Sequence, residues 1–269
     1  FPNDPWSGSV AYREFGDDYD PALGFVTRND YRQLQQRIGW SPRPRLPGIR
    51  SLSFGANFMN QWQMSSGTLE DQQLQFDVLG INFESGDGLN VSATRTNEYL
   101  DRQFEVSEGV PIEIGRYQYW DYRVNFRTAG QRKLGMFANY SWGGFWNGDR
   151  TQLNTRFNVR AIPGFTLSPG LERNDVTLPQ GSFTASVYSI EGQWNPSPWV
   201  SFTNQLQYDD VSELVGLFAR MRWIVRPGND VYLVYTHNWV NYGGGILQDP
   251  WLQTVSRGAS LKLNYTHRF

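Results

Sequence analysis

A chain of 269 residues with 16% aromatic and 19% charged residues is long enough for one large all-β domain, and this composition suits strands better than helices. The net charge of −2 argues against a nucleic-acid partner, and the absence of cysteine excludes a disulfide framework or a cysteine-based metal site. No run of about eighteen apolar residues is present, so no transmembrane helix is expected. No signal peptide opens the chain, so an exported protein would begin after a processing site.

Alternation of apolar and polar residues predicts fourteen β-strands. The third strand is the clearest, because Leu52, Phe54 and Ala56 alternate with Ser53 and Asn57 over an unusually long stretch. The predicted strands cover residues 7–15, 31–40, 51–64, 72–83, 89–99, 117–128, 133–146, 149–161, 165–175, 183–194, 199–208, 214–226, 231–241 and 256–269.

The connections between these strands alternate in length. The long ones cover 16–30, 100–116 and 242–255, and short turns such as 227–230 lie between them. Short turns at one rim and long loops at the other are typical of transmembrane barrels of the bacterial outer membrane, and an even strand count places both termini on the short-turn side. We therefore expect residues 1–269 to form a single domain, an all-β, transmembrane, antiparallel up-and-down β-barrel of about fourteen strands.

Aromatic residues gather where the predicted strands begin or end. Rings with a polar edge collect at both interfaces of a bilayer, although tryptophan is also frequent in β-proteins generally. The predicted aromatic girdle consists of Trp40, Trp62, Trp120, Trp142, Trp223, Trp239, Tyr265 and Phe269, with Trp146, Trp194 and Trp199 at further strand ends. The last strand alternates and stops on Phe269, which resembles the signal read by the outer-membrane insertion machinery. That machinery and the lipid bilayer are therefore the expected partners.

Three stretches are the most distinctive in the chain: GDDYDPALGFVTRNDYRQ at 16–33, IGWSPRPR at 38–45, and QYDDVSELVGLFARMRWIVRPGNDVYLVYTHNW at 207–239. Together they resemble a bacterial family of outer-membrane proteins, domain of unknown function 5916, whose barrel follows an amino-terminal domain like a carbohydrate-binding module. The resemblance implies a barrel fold and an outer-membrane location, and it carries no catalytic residues. If the resemblance holds, we expect residues 1–269 to be the carboxyl-terminal part of a larger precursor, without its amino-terminal domain and the barrel strands expected before Ser7. Either fourteen strands close alone, or an upstream segment or partner chain completes the barrel.

Arginine and amide side chains occupy the face opposite the apolar residues. Charge at membrane depth is tolerated only toward water or a protein interior, so these side chains predict a polar lumen that selects solutes by charge and width. The candidate lumen-lining residues are Arg123, Arg127, Arg156, Arg160, Arg220 and Arg222. An internal salt-bridge network that fills the barrel is the alternative, since about eight strands are filled by side chains and sixteen to eighteen leave a channel.

Catalysis has few candidate residues. The histidines are His237 and His267, and a serine hydrolase would need a hydroxyl beside one of them together with an orienting partner. His267 shares the parity of Tyr265, and His237 is expected to share that of Tyr235, which places both on the apolar side. No enzyme activity and no cofactor are therefore expected. The acidic loop of Asp17, Asp18 and Asp20 lacks the spacing of a calcium site, and a solvated surface loop is the simpler reading, so no metal is expected either.

The expected function is a passive, porin-like channel for transport in the outer membrane, or a membrane-embedded module of a larger complex. A surface glycan-binding or uptake protein is the second possibility, with the barrel as an anchor and loop aromatics such as Tyr242 and Trp251 stacking on sugar. A soluble β-sandwich lectin is the third, and it would bury Leu52, Phe54 and Leu217 between two sheets.

Overall fold

The computed structural model describes residues 2–3, 5–20, 29–243 and 251–266, and over these ranges the chain forms strands and turns. None of them forms a helix long and apolar enough to cross a membrane. The strands are β1 (Pro2–Asn3), β2 (Trp6–Phe15), β3 (Tyr31–Trp40), β4 (Ile49–Gln63), β5 (Leu69–Phe83), β6 (Gly88–Leu100), β7 (Phe104–Ser107), β8 (Val110–Ile112), β9 (Gly115–Arg127), β10 (Leu134–Phe145), β11 (Gly148–Val159), β12 (Phe165–Leu178), β13 (Gly181–Ser197), β14 (Val200–Asp209), β15 (Leu214–Arg226), β16 (Asn229–Asn241) and β17 (Leu252–Asn264).

One sheet contains β1 to β6 and β9 to β17, and each of these strands neighbours the next one along the chain. β7 and β8 form a separate antiparallel hairpin. The prediction of an all-β, antiparallel up-and-down architecture is confirmed, and the fourteen predicted strands correspond one to one to β2–β6 and β9–β17. Short turns such as Pro227–Gly228 favour this arrangement because sequential antiparallel strands can be joined by two residues.

The chain packs as two compact units. The first comprises Phe1–Arg127, Asn139–Gln152 and Asp175–Phe183, and the second comprises Thr128–Ala138, Leu153–Asn174 and Thr184–Phe269. A single domain over residues 1–269 stays a prediction.

In the first unit, registered rows of side chains separate apolar from polar residues. One row across β3, β4, β5, β6 and β9 consists of Ile38, Ala56, Phe76, Ala93 and Tyr122. The next row on the same strands consists of Arg37, Asn57, Gln75, Thr94 and Asp121. Residues opposite each other in an antiparallel pair share a face, and successive residues point to opposite faces. The two rows therefore define the apolar face and the polar face of the first unit.

The second unit repeats this separation on β13 to β17. An apolar row consists of Trp194, Phe202, Met221, Leu233 and Leu261. The adjacent row consists of Gln193, Thr203, Arg220, Val234 and Ser260. These rows define the apolar face and the polar face of the second unit.

The apolar faces are exposed rather than buried. Trp223 is 45% exposed and Leu261 is 64% exposed, and Leu52, Phe54 and Leu217 are only partly covered. A sandwich would bury these side chains, and the described strands outside the β7–β8 hairpin all belong to one sheet. The buried apolar side chains in the described ranges are few: Val110, Ile112, Ala129, Val176, Leu178 and Val215.

Two of the predicted long connections differ from the structure. The long loop at 100–116 contains the β7–β8 hairpin, which turns at Gly109 with a φ of 72°. The last strand begins at Leu252 rather than at residue 256, because a register shift opposite Asn238 and Trp239 interrupts the alternation around Val255. A bulge of this kind inserts one residue and reverses the parity of those before it, so the two-residue period is lost in the sequence.

Candidate functional site

Amide side chains cover the polar face of the first unit on β3, β4 and β5. Gln33 donates to Gln61 at 3.3 Å, and Gln35 donates to Asn57 at 3.2 Å. Because an amide both donates and accepts, such a surface can exchange hydrogen bonds with water or with an uncharged polar solute.

Two of the predicted lumen-lining arginines share this face of the first unit. Arg123 lies opposite Ser92 on β6, and its guanidinium is 4.0 Å from the carboxylate of Asp121. Arg127 lies opposite Gly88, where its side chain occupies the space that a Cβ would need. The charge of Arg123 is therefore partly balanced by Asp121, and the side chain of Arg127 covers Gly88.

In the second unit, Arg220 and Arg222 also point to the polar face but have different neighbours. Arg222 donates to both carboxylate oxygens of Asp230, at 3.2 and 3.3 Å, and its guanidinium lies 5.6 Å from the ring centre of Tyr232. Arg220 is exposed and contacts only a neutral partner among the described residues, the hydroxyl of Thr203 at 3.4 Å. The charge of Arg222 is therefore paired, and that of Arg220 is uncompensated.

Arg156 and Arg160 are separated by the end of β11. Arg156 is exposed beside Gly170, on the side where Ser189 also lies. Arg160 follows the strand, and its guanidinium donates to the carbonyl oxygens of Gly130 and Arg132. The strand thus ends one residue before Arg160, whereas residues 149–161 were expected to form it.

A cavity of about 330 Å³ lies on the polar face of β14, β15 and β16. Phe218 lies between its cross-strand partners Gln205 and Thr236, and Gln207, Asn238 and the acidic Asp209 complete the polar wall. The volume is at the lower end of the range of roughly 300–1,000 Å³ for small-molecule sites.

The β7–β8 hairpin packs against the polar side of the first unit. Its Val110 and Ile112 are buried with Val176 and Leu178. Leu100 and Tyr117 also contact this cluster, and both follow the polar parity of β6 and β9. The hairpin therefore covers the polar face at the end of the strands where the long connections lie.

Trp146 belongs to this cluster rather than to an outward-facing girdle. Its ring packs on Phe145 with centroids 4.2 Å apart and contacts Phe104 of the hairpin at 5.3 Å. Its indole N–H donates to Glu98 at 3.2 Å. The position at a strand end was recognised in the sequence, but the direction of the ring was not.

The girdle residues that the structure describes lie on the apolar faces. Trp40 stacks between Trp6 and Phe54, at 5.9 and 5.4 Å, and Trp142 stacks on Tyr122 at 5.8 Å. The parity of the apolar faces is shared by Trp62, Trp120, Trp223 and Trp239, and Tyr265 continues the parity of Leu263. Phe269 and His267 lie outside the described residues, so the terminal signal stays a prediction.

His237 lies on the apolar face of the second unit, opposite Leu217 on one side and Arg257 on the other. Its expected parity with Leu233 and Tyr235 is therefore confirmed. The hydroxyls of a tyrosine and a threonine lie beside its two ring nitrogens. The Tyr235 hydroxyl lies 2.9 Å from Nδ1, and Oγ1 of Thr254 lies 2.9 Å from Nε2.

The acidic loop shows ordinary turn geometry over its described part. The exposed side chain of Asp17 accepts a hydrogen bond from the backbone N–H of Asp18 at 3.1 Å. Within the described ranges, no three histidine, cysteine or acidic residues are placed to hold a metal ion.

Sequence reasoning missed two features of these faces. The hairpin was readable in part, since Phe104–Ser107 and Val110–Ile112 are short β-prone runs that flank Glu108 and Gly109. The contact of Thr254 with His237 could not be predicted from the sequence, because it depends on a bulge whose position no local pattern gives.

No family model matches the chain, and no curated protein matches it. Among solved structures, two variants of the Rh. blastica porin are similar to it at 11% and 10% identity, with TM-scores of 0.31 and 0.30. The matches cover 86% of this chain and 94% and 92% of the porin chains. A structure from work on asymmetric conductivity of engineered proteins is similar at 10% identity, covering 86% of this chain and 92% of that one, with a TM-score of 0.30.

Proposed function

We propose that this chain is a β-barrel of the bacterial outer membrane that acts as a passive channel. The observation that carries the proposal is the separation of rows: large apolar side chains are exposed on one face, and amides and arginines fill the other. Exposing this much apolar surface to water costs free energy, whereas contact with acyl chains does not. An up-and-down sheet that closes would also satisfy the strand edges that lipid cannot hydrogen-bond.

The polar faces are the proposed surfaces along which solutes pass. In the first unit the amides offer neutral hydrogen-bonding groups, and in the second unit Arg220 adds an uncompensated positive charge. The β7–β8 hairpin lies over the polar face of the first unit, and in a closed barrel it would narrow the path. The lumen-lining roles of Arg123, Arg127, Arg156, Arg160, Arg220 and Arg222 are part of the same proposal.

Planar-bilayer recording of the detergent-purified protein tests the channel. We expect stepwise single-channel currents, and we expect gel mobility to change on heating, as it does for a folded barrel. A protein that remains in the aqueous phase after cell lysis without detergent would refute the membrane location. A heat-modifiable, detergent-dependent protein without conductance would refute the open channel alone.

A membrane-anchored glycan-binding protein is the second candidate. Tyr242 and Trp251 are 56% and 68% exposed at the base of the last long loop, and their ring centroids are 5.8 Å apart. Exposed rings of this kind can stack on a sugar. Binding of oligosaccharide to whole cells that is lost in a Tyr242→Ala, Trp251→Ala double variant, with unchanged conductance, would favour this candidate.

We propose no enzymatic role. Both partners of His237 are hydroxyls, and neither is the carboxylate that stabilises the imidazolium in a hydrolytic triad. Release of fatty acid from phospholipid vesicles by the purified protein, abolished in Thr254→Ala, would contradict this proposal.

A further inference from the structure

A group of polar side chains interrupts the apolar face of the second unit at the rim where β16 and β17 are joined by the last long loop. Tyr235, His237 and Trp239 follow one another on the apolar parity of β16. The imidazole of His237 stacks on Trp239 with centroids 3.8 Å apart, and hydroxyls of Tyr235 and Thr254 lie 2.9 Å from its two nitrogens. Both ring nitrogens are therefore satisfied, and the ring is held in one orientation.

The bulge in β17 brings Thr254 to this face. Arg257 pairs with His237, Ser256 pairs with Asn238, and then Thr254 rather than Val255 pairs with Trp239. The extra residue reverses the parity, so Thr254 and Arg257 lie on the same side. A regular strand would have turned the Thr254 hydroxyl to the polar face, away from His237.

Arg257 is the cation of this group. It is exposed, and over the described part of the chain its side chain has no hydrogen-bond or ion-pair partner. It shares its row with Ile190, Leu206 and Leu217, which are apolar. An arginine without a counter-charge on such a surface is costly unless an anion from the bilayer reaches it.

The position along the strand fits the bilayer surface. Val231, which pairs with Trp223, and Trp239 are eight residues apart on β16. Eight residues span about 26 Å along a strand, or roughly 20 Å along the normal of a barrel whose strands tilt about 40°. The apolar band of such barrels is about 25 Å tall. If Trp223 lies at one boundary of this band, Trp239 therefore lies close to the opposite boundary. Arg257 lies one pleat below Trp239, a distance that an arginine side chain covers by extending toward the interface.

We propose that Arg257 binds the phosphate of a lipid headgroup in the leaflet at the long-loop rim, with Trp239, His237 and Tyr235 as the rigid platform beside it. The proposal rests on the membrane location proposed above. The planar guanidinium can donate two parallel hydrogen bonds to phosphate oxygens, which an ammonium cannot match in geometry. Below the group, the exposed Leu261 and Leu263 provide the surface for the acyl chains of the same lipid.

Native mass spectrometry of the full chain, released from detergent in the presence of phosphatidylglycerol, measures this binding. We expect Arg257→Gln to weaken retention of phosphatidylglycerol about fivefold, the effect expected for one cation at an anionic lipid surface. Arg257→Lys should restore part of the loss, because it keeps the charge without the planar fork. Lys262→Gln is the matched control, since Lys262 is on the same strand but on the polar face, opposite Tyr232.

Equal retention in Arg257→Gln and the wild type, or an equal loss in Lys262→Gln, would overturn the proposal. Inorganic phosphate that displaces the lipid would assign the site to a free anion and would also overturn it. If the proposed membrane location is wrong, a different result is expected, because the wild-type protein would then not associate with vesicles at all. Conductance with unchanged lipid retention in Arg257→Gln would refute the lipid site and leave the channel intact.

Discussion

Two arginines on one strand show how local partners change the effect of the same charge. Arg222 is neutralised by Asp230 at 3.2 Å, whereas Arg220 has the Thr203 hydroxyl as its partner. If the polar face lines a channel, Arg220→Gln should lower the preference for anions, and Asp230→Asn should raise it by releasing the charge of Arg222. For a solvated charge we expect a change of about 0.5 kcal/mol, roughly twofold in the permeability ratio. The reversal potential across a salt gradient measures it.

The signs of these two changes are the test. Shifts of reversal potential in the same direction for Arg220→Gln and Asp230→Asn would contradict the assignment of the polar face to the path. Leu206→Gln is a suitable control, because Leu206 lies on the apolar face of β14 and should leave the reversal potential unchanged.

Gly143 shows backbone strain at the scale of one residue. Its φ is 135°, and an added Cβ would collide with the carbonyl oxygen of Trp120 and lie 2.9 Å from the Cα of Asp121. Gly143→Ala should therefore destabilise the fold by roughly 1–3 kcal/mol. The heating midpoint of the gel-mobility change should fall by several degrees. Gly130→Ala, where a Cβ meets nothing within 4 Å, should leave the midpoint unchanged, and equal midpoints for the two variants would contradict the strain.

At the scale of elements, alternation predicted every long strand of the sheet because apolar and polar side chains point to opposite faces with a period of two. The limits of that signal lie where the period is interrupted. The bulges between Asp77 and Leu79 on β5 and around Val255 on β17 each shift the parity by one residue. The candidate site was predictable as a set of polar residues, but the contacts of Arg160 with the 130–132 turn and of Trp146 with the hairpin were not, because such contacts depend on tertiary packing.

The β7–β8 hairpin is the element that covers the polar face of the first unit. Ile112 is fully buried, whereas Ile114, two residues further on, is 59% exposed. Ile112→Ala should remove about 2–5 kcal/mol from the docking of the hairpin, since it leaves a cavity in the Val110, Val176 and Leu178 cluster. We expect a larger and noisier single-channel current. Ile114→Ala should reproduce the wild-type current, and identical recordings from both variants would show that the hairpin does not limit conduction.

For the whole molecule, the apolar and the polar faces have their lowest free energy in different surroundings. In water, the exposed rings and aliphatic side chains of the apolar faces would cost about 25 cal/mol for each Å² left uncovered. Against acyl chains that cost disappears, and the arginines and amides of the other faces then need an enclosed, hydrated space. If the chain lies in a membrane, as proposed, the same sequence pattern accounts for both the apolar faces and the polar path.

The absence of cysteine makes this separation directly measurable. Single cysteines at Gln75 and Thr203, on the polar faces, should react with a membrane-impermeant thiol reagent in intact membranes, and those at Phe76 and Phe202, on the apolar faces, should not. In detergent-free denaturant all four should react, which controls for expression and for thiol oxidation. Equal labelling of neighbours such as Gln75→Cys and Phe76→Cys in membranes would mean that both faces meet water. A soluble β-sheet protein would then remain as the explanation of the alternation.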